Sequence, residues 1–354
     1  MTVLGPLALD RAYYHCPSCH AGHCPRDGQL GLTAADLTPG AEQACALAGA
    51  LGSFAEAAEK VLPRLAGLRL AESTVERATE RAGQRVGDRL AAGEVFGPAR
   101  DFDWQPDAEG RTCAYVAADL FGLGMQGPGG AAAEGRMAPV AMVYNPGAPG
   151  QVRYLAGLTG GLAALGEPLR RQAAQVGMGR AQRWIAVSDG GAGIEDFLRG
   201  HFPLVEAVIL DFWHAAGHLA AWAQALHPED AAAAGRLTGE WCHRLKHEGG
   251  AAVLAALAGL DGGGWTAGQR EAHRAVVGYV GNQVHRMDYP SYVAKGWQIG
   301  SGPVEAGCKL VGQRLKGAGM RWGEAGADAV CHLRALYRSE ASQWEAFWQV
   351  SRAA

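Results

Sequence analysis

Carboxylates at widely spaced positions carry the chemistry open to this sequence. Cys113-Ala-Tyr-Val-Ala-Ala-Asp119 reads as a buried strand ending in an acid. Arg183-Trp-Ile-Ala-Val-Ser-Asp189 is a second such strand, and Val205-Glu-Ala-Val-Ile-Leu-Asp211 a third, running straight into Phe212-Trp213-His214. If the first two strands are parallel neighbours, Asp119 and Asp189 share one sheet edge. Glu305 follows the punctuation Gly300-Ser301-Gly302-Pro303, which suits a helix start with Ser301 as N-cap and Pro303 in the first turn. Glu305 then lies near the positive end of that helix. A helix carrying it onto the strand-end edge completes a cluster of three acids. Clustered carboxylates repel unless cations neutralise them, and hard oxygen donors select Mg²⁺ or Mn²⁺. Two such ions about 3.5–4 Å apart can activate a water or a 3′-hydroxyl and stabilise the leaving oxygen of a phosphodiester. A plainer reading stays open for each acid alone: a strand-end Asp often caps a helix or loop, and Ser301 with Glu305 is close to a capping box. Three acids in this order favour the metal site.

Behind Glu305 the chain turns basic. Residues 306–338 hold six cations (Lys309, Arg314, Lys316, Arg321, Arg334, Arg338) against Glu324 and Asp328. Lys309, Arg314, Lys316 and Arg321 are the expected phosphate-binding residues. The whole chain of 354 residues carries a net charge of -3, so only a local patch can supply phosphate affinity.

The elements around these acids can be read from pattern. Residues 112–158 read as three strands, with acid-ended strands and helices following. This predicts an α/β chain with a mixed sheet and helices packed on it. Residues 215–290 are Ala-rich and helical, an insertion between the third acid-ended strand and the Glu305 helix. Upstream, Ser53-Phe54-Ala55-Glu56 is a capping box opening a helix that should end near Leu62, before Pro63. A glycine turn follows, then a helix from Ser73-Thr74 with Arg77, Arg81, Arg85 and Arg89 at spacings of four. That is a helix-turn-helix pattern in which Arg77 and Arg81 would contact DNA. The alternative is a helical hairpin whose Arg stripe pairs with Glu72, Glu76 and Glu80. At the start of the chain, Cys16-Pro17-Ser18-Cys19 is a knuckle-type turn that could place two thiolates on Zn²⁺. A second ligand pair would have to come from His20, His23 or Cys24, so the motif is half a ribbon; two free surface thiols are the other reading.

Two phosphate-loop patterns are decoys. Gly122-x-Gly124-x-x-Gly127 leads into Pro128-Gly129-Gly130 instead of a helix, and Cys308 stands where a P-loop needs its lysine. A basic stretch leading into a long apolar core is missing at the start, and the longest apolar run, residues 251–260, is too short to span a bilayer. The expected location is cytoplasmic, associated with the nucleoid.

The succession Asp119, Ser188-Asp189-Gly190-Gly191, Asp211-x-x-His214, Arg286-Met287-x-Tyr289, Ile299-Gly300-Ser301-Gly302-x-Val304-Glu305 and Gly319-Met320-Arg321-Trp322 resembles DDE-type insertion-sequence transposases. The likeness is to the Kra-type insertion-sequence family, related to Mutator-like transposases. It spans nearly the whole chain and is most specific around Glu305. This sequence departs from the family in Leu120 after the first acid and Gly190-Gly191 after the second. The resemblance implies an RNase H-like core with an all-helical insertion (residues 101–354, insertion at about 215–290). Ahead of it would lie a helix-turn-helix domain (31–100) and a partial zinc knuckle (1–30, Cys16 and Cys19). Asp119, Asp189 and Glu305 become the catalytic triad, with Asp119 bridging two Mg²⁺ or Mn²⁺ ions and the other two holding one each. Asp211 and His214 would support the site, and Arg286 would join the DNA contacts. The implied activity is cleavage of element ends and transfer of their 3′-hydroxyls into double-stranded target DNA by a homodimer or larger assembly, away from any membrane. A catalytically inactive DNA-binding protein and a nuclease without strand transfer are the alternatives.

Overall fold

The computed structural model describes the chain apart from residues 4, 6, 33–36, 318 and 354 and the side chains of 350–353. Its centre is a five-stranded mixed sheet built from β1 (Cys113–Gln126), β2 (Ala132–Tyr144), β3 (Val152–Ala156), β4 (Arg183–Ser188) and β5 (Val205–Leu210). Across the sheet the order is β3-β2-β1-β4-β5. Strand β2 is antiparallel to both neighbours, while β1, β4 and β5 run parallel. Successive residues of β1 point into two different cores: Cys113, Tyr115 and Ala117 into one, Ala114, Val116 and Ala118 into the other. Because both faces are covered, the strand reads as an unbroken apolar run without alternation.

Eleven helices are used here: α1 (Pro39–Leu51), α2 (Glu72–Ala91), α3 (Gly166–Gln175), α4 (Ile194–His201), α5 (Phe212–Leu226), α6 (Ala231–Ala258), α7 (Ala267–Gln283), α8 (Tyr289–Ala294), α9 (Gly302–Gly312), α10 (Glu324–Arg338) and α11 (Ala341–Ala353). Helices α5 to α8 fill the interval expected to be helical. Within α6 the chain kinks at Gly249, whose φ of 85° suits glycine. None of the helices is long and apolar enough to cross a membrane, among the described residues.

The segment opened by Ser53 does not stop before Pro63. Ser53 caps it as expected, accepting from the Glu56 amide at 3.1 Å, but helical structure continues to Leu65. Proline has no N–H for the usual bond to residue i−4. A π turn over Ala57–Val61 takes up the mismatch just ahead of it.

The upstream helices share the apolar core of the sheet. Leu37, Ala41, Leu62, Leu68 and Val75 belong to the same cluster as Tyr115, Ile185 and Val304. Helix α2 packs between α1 and α10, and at Gly83 it meets α10 so closely that an added Cβ would sit 2.0 Å from the Ala329 carbonyl oxygen. Gly83→Ala therefore sets two effects against each other. Helix propensity favours Ala by up to about 1 kcal/mol. The clash is with backbone, which yields only if the helices separate, and overpacking of this kind costs about 1–3 kcal/mol. The expected result in urea unfolding is a net loss of stability; a gain would show that the α2–α10 contact is loose.

Candidate functional site

Register brings the acids together. The pairing of β1 with β4 runs in step from Cys113 opposite Arg183 to Ala117 opposite Val187. Asp119 and Asp189 each lie two residues further on, level with each other. Residues two apart on a strand face the same side, so both acids project to the face of Ala117 and Val187, the core that also holds Val304 and Val311 of α9. Strand β5 pairs with β4 from Ile185 opposite Ala207 to Ser188 opposite Leu210, and Asp211 follows at once. Helix α9 packs over β1 and β2 and carries Glu305 in its first turn.

Each carboxylate has a local partner. Asp119 accepts from the Leu120 amide at 2.7 Å, and Asp189 from the Gly191 amide at 3.0 Å. Asp211 caps α5 by accepting from the Trp213 amide at 2.9 Å. Ser301 does not cap α9 with its side chain. Its hydroxyl lies 2.6 Å from Asp211 Oδ2 and 3.0 Å from Glu305 Oε1, and its single proton can serve only one of them at a time. Ser301 thereby links two acids that are 94 positions apart in the chain, a role its place in a capping-box pattern concealed. Among the described residues no cation forms an ion pair with Asp119, Asp189, Asp211 or Glu305. Nor does any group of three or more His, Cys, Asp or Glu side chains stand assembled around a metal position.

Burial pushes the Asp119 carboxyl above its ordinary pKa, and the negative charges of Asp189 and Glu305 add to the rise. The Leu120 amide and the Cys308 thiol oppose it by hydrogen bonding. Burial and the neighbouring Asp119 in turn drive the Cys308 thiol well up, so it stays a neutral donor. Cys308 had seemed merely a misfit in a P-loop. Its position one turn beyond Glu305 on α9 was the available signal.

Asp119, Glu305 and Cys308 line an open cleft of about 690 Å³ together with Lys309, Gln313 and Lys316. Lys309, Lys316 and Arg321 are exposed. Arg314 is not: it is 5% exposed, donates to the Gly49 carbonyl at 3.0 Å and lies over the rings of Phe54 and Trp322. Arg334 is also buried, spending its guanidinium on the carbonyls of Val311, Ala50 and Leu310. Both tie α9 and α10 to the upstream helices, so the charge counted in the sequence overstates the surface patch.

Arg286, another expected DNA contact, is corrected in the same way, while Arg81 stays half-buried. Arg286 is 1% exposed and clamps the ends of β4 and β5, donating to the carbonyls of Val208, Ser188 and Asp189 and, at 2.6 Å, to Ser188 Oγ. Arg81 turns towards the buried Glu42 of α1, at 3.9 Å, beside Arg85, which binds the same carboxylate at 2.9 and 3.2 Å. Within the stripe, Arg81 and Arg85 face Glu42 of α1, while Arg89 pairs with Glu94 at 2.7 Å. Arg77 is exposed.

His214 is exposed on the first turn of α5, its ring 5.4 Å from that of His218 and 6.0 Å from that of Tyr279. At the start of the chain, Tyr14–His15 pairs with Gly22–His23 in a short hairpin around the Cys16–Cys19 turn. Backbone amides at Cys19 and Ser18 hydrogen-bond to Cys16 and lower its thiol pKa, as a thiolate ligand requires. Both thiols are exposed.

No known family's sequence profile matches this chain, and no curated protein matches it. The site's geometry is therefore the ground for any functional reading.

Proposed function

We propose that the chain is a DDE-type DNA transposase with an RNase H-like core, cutting element ends and joining their 3′-hydroxyls to target DNA with divalent metal ions. The observation that carries this reading is the convergence of Asp119, Asp189 and Glu305, with Asp211, on one face of the sheet without a cation partner among the described residues. Gathering negative charge in a half-buried place is costly, and a bound cation is what offsets it. The donors are all carboxylate oxygens, which fit Mg²⁺ or Mn²⁺. Asp119, Asp189 and Glu305 would hold the metal, which supplies a lowered pKa for the attacking oxygen and neutralisation of the leaving one. Ser301, lying between Asp211 and Glu305, would orient Glu305 when its hydroxyl donates there. Lys309, Lys316 and Arg321 bind backbone phosphates beside the acids. The order β3-β2-β1-β4-β5, with only β2 reversed, and the helical segment between β5 and α9 support the assignment of the core. In the same reading Cys16 and Cys19 supply half of a zinc site.

The test is cleavage of a plasmid bearing the repeats that flank the gene, with Mg²⁺ or Mn²⁺ against EDTA. Wild type should nick at the repeat boundary only with metal, and Glu305→Gln should not. Recovery of end-to-target joints separates a transposase from a nuclease. Specific binding of the repeat with no cut in either protein would replace the proposal with a non-catalytic DNA-binding role.

A further inference from the structure

Trp213 is 70% exposed, although a tryptophan ring is a large apolar surface that folding normally covers. It is firmly placed nonetheless. Its amide is held by Asp211 Oδ1 at 2.9 Å, and Phe212 meets its ring edge-on at 5.4 Å. Gly300 forms the floor: a Cβ there would lie 3.4 Å from Trp213 Cδ1 and 3.6 Å from Nε1. The open indole face therefore stands between the two segments that deliver Asp211 and Glu305. The surroundings are polar (Asp211, Gly300, Ser301, exposed His214), which does not suit an apolar protein surface as the occupant. A second aromatic group lies beside Asp189. His218 stacks on Tyr279 at 3.6 Å and 18°. Tyr279 Oη is shut off from solvent and has no hydrogen-bond partner among the described residues, and it would lie 3.0 Å from a Cβ on Gly190, next to Asp189.

The acids are thus flanked by two different walls. On the α9 side are the exposed cations Lys309 and Lys316. On the α5 and α7 side are aromatic rings. Cations take the phosphate backbone. An exposed ring takes the face of a base, and inside a duplex that face is hidden by its stacking neighbours. We infer that Trp213 stacks on an unpaired nucleobase flanking the phosphodiester held at the acids, so that the DNA bound there is locally melted. This deepens the transposase reading and rests on it.

The test uses full-length protein in Ca²⁺, so that binding is read without turnover. The probe is the flanking-repeat duplex with 2-aminopurine at its boundary nucleotide, either fully paired or ending there in a short unpaired tail. Wild type should bind the tailed probe about tenfold more tightly than the paired one, and the 2-aminopurine emission should be quenched. Trp213→Ala should lose both the preference and the quench, and Trp213→Phe should regain part of each. Because the ring is exposed, neither variant should unfold at a lower temperature. A Trp213→Ala protein that keeps the preference or the quench overturns the inference, as does a wild type that cuts in Mg²⁺ yet binds both probes equally. Preference and quench without metal-dependent cutting would support the inference and sink only the catalytic reading. Absence of DNA binding by wild type overturns both.

Discussion

Asp119→Asn is expected to make the metal-free protein more stable and the enzyme inactive. The sign follows from linkage. The folded-state pKa of Asp119 is raised, first by burial and then by the charges of Asp189 and Glu305. Its stabilising contribution is therefore present below the unfolded-state pKa, about 3.9, and is lost as pH rises through the folded value. At neutral pH the ionised carboxylate works against the fold, and the amide removes that opposition while keeping the shape. The gain should show as a higher melting temperature. Mg²⁺ should reverse the ranking: a ligand at 100 times its Kd adds about 2.7 kcal/mol to wild type, and the variant should gain far less. Activity should fall by on the order of 10³-fold or more, since metal-derived charge stabilisation is worth several kcal/mol in the transition state. Thermal melts at several pH values, with EDTA and with Mg²⁺, read the first effect, and plasmid nicking reads the second. A variant less stable than wild type at pH 7 and more stable only in acid would show that the Leu120 and Cys308 hydrogen bonds outweigh burial.

The second large effect is expected at Arg286. Its guanidinium donates to three strand-end carbonyls, those of Val208, Ser188 and Asp189, and it also holds Ser188 Oγ and Gln283. Glu195 lies 3.7 Å away and supplies the countercharge. Arg286→Ala removes these bonds, leaves Glu195 without its buried countercharge and opens a cavity, so a loss of about 3–5 kcal/mol is expected in urea unfolding. Arg286→Lys should recover little of this, because an ammonium cannot span the acceptors that the planar fork reaches at once. Had Arg286 been a surface DNA contact, stability would have stayed within about 0.5 kcal/mol and only DNA binding would have weakened. Since the clamp sits where Asp189 and Asp211 leave the sheet, Arg286→Lys should also weaken metal binding more than its remaining stability predicts.

What could be read from the sequence was whatever depends on periodicity and local punctuation. Two of the three acid-ended strands emerge at the residues expected, with β4 and β5 ending one residue before Asp189 and Asp211, whereas Asp119 lies within β1 and not at its end. The helical interval before Glu305 and the start of α9 after Ser301 also follow from pattern. Local backbone preference and the burial of short apolar runs dictate these features, and both are written residue by residue. The extension of β1 to Gln126 was not visible, because Gly122 and Gly124 look like a loop until Trp322 pairs with the far end of the strand.

The partner of each polar side chain was decided by the tertiary structure. A cation's letter does not say whether it faces water, and so Arg286, Arg314 and Arg334 passed in the sequence for surface charge. Their carbonyl and carboxylate partners lie across helix and strand contacts tens to hundreds of residues away. Ser301 is spent on Asp211 and Glu305 instead of on its helix for the same reason. The upstream helices likewise share the core of the sheet, because apolar faces 40 and 300 residues from the start are buried together only once the chain has folded back on itself. From the sequence came the acids and the starts of the strands that carry them. Register and packing then determined which acids meet, and which cations are left to face them.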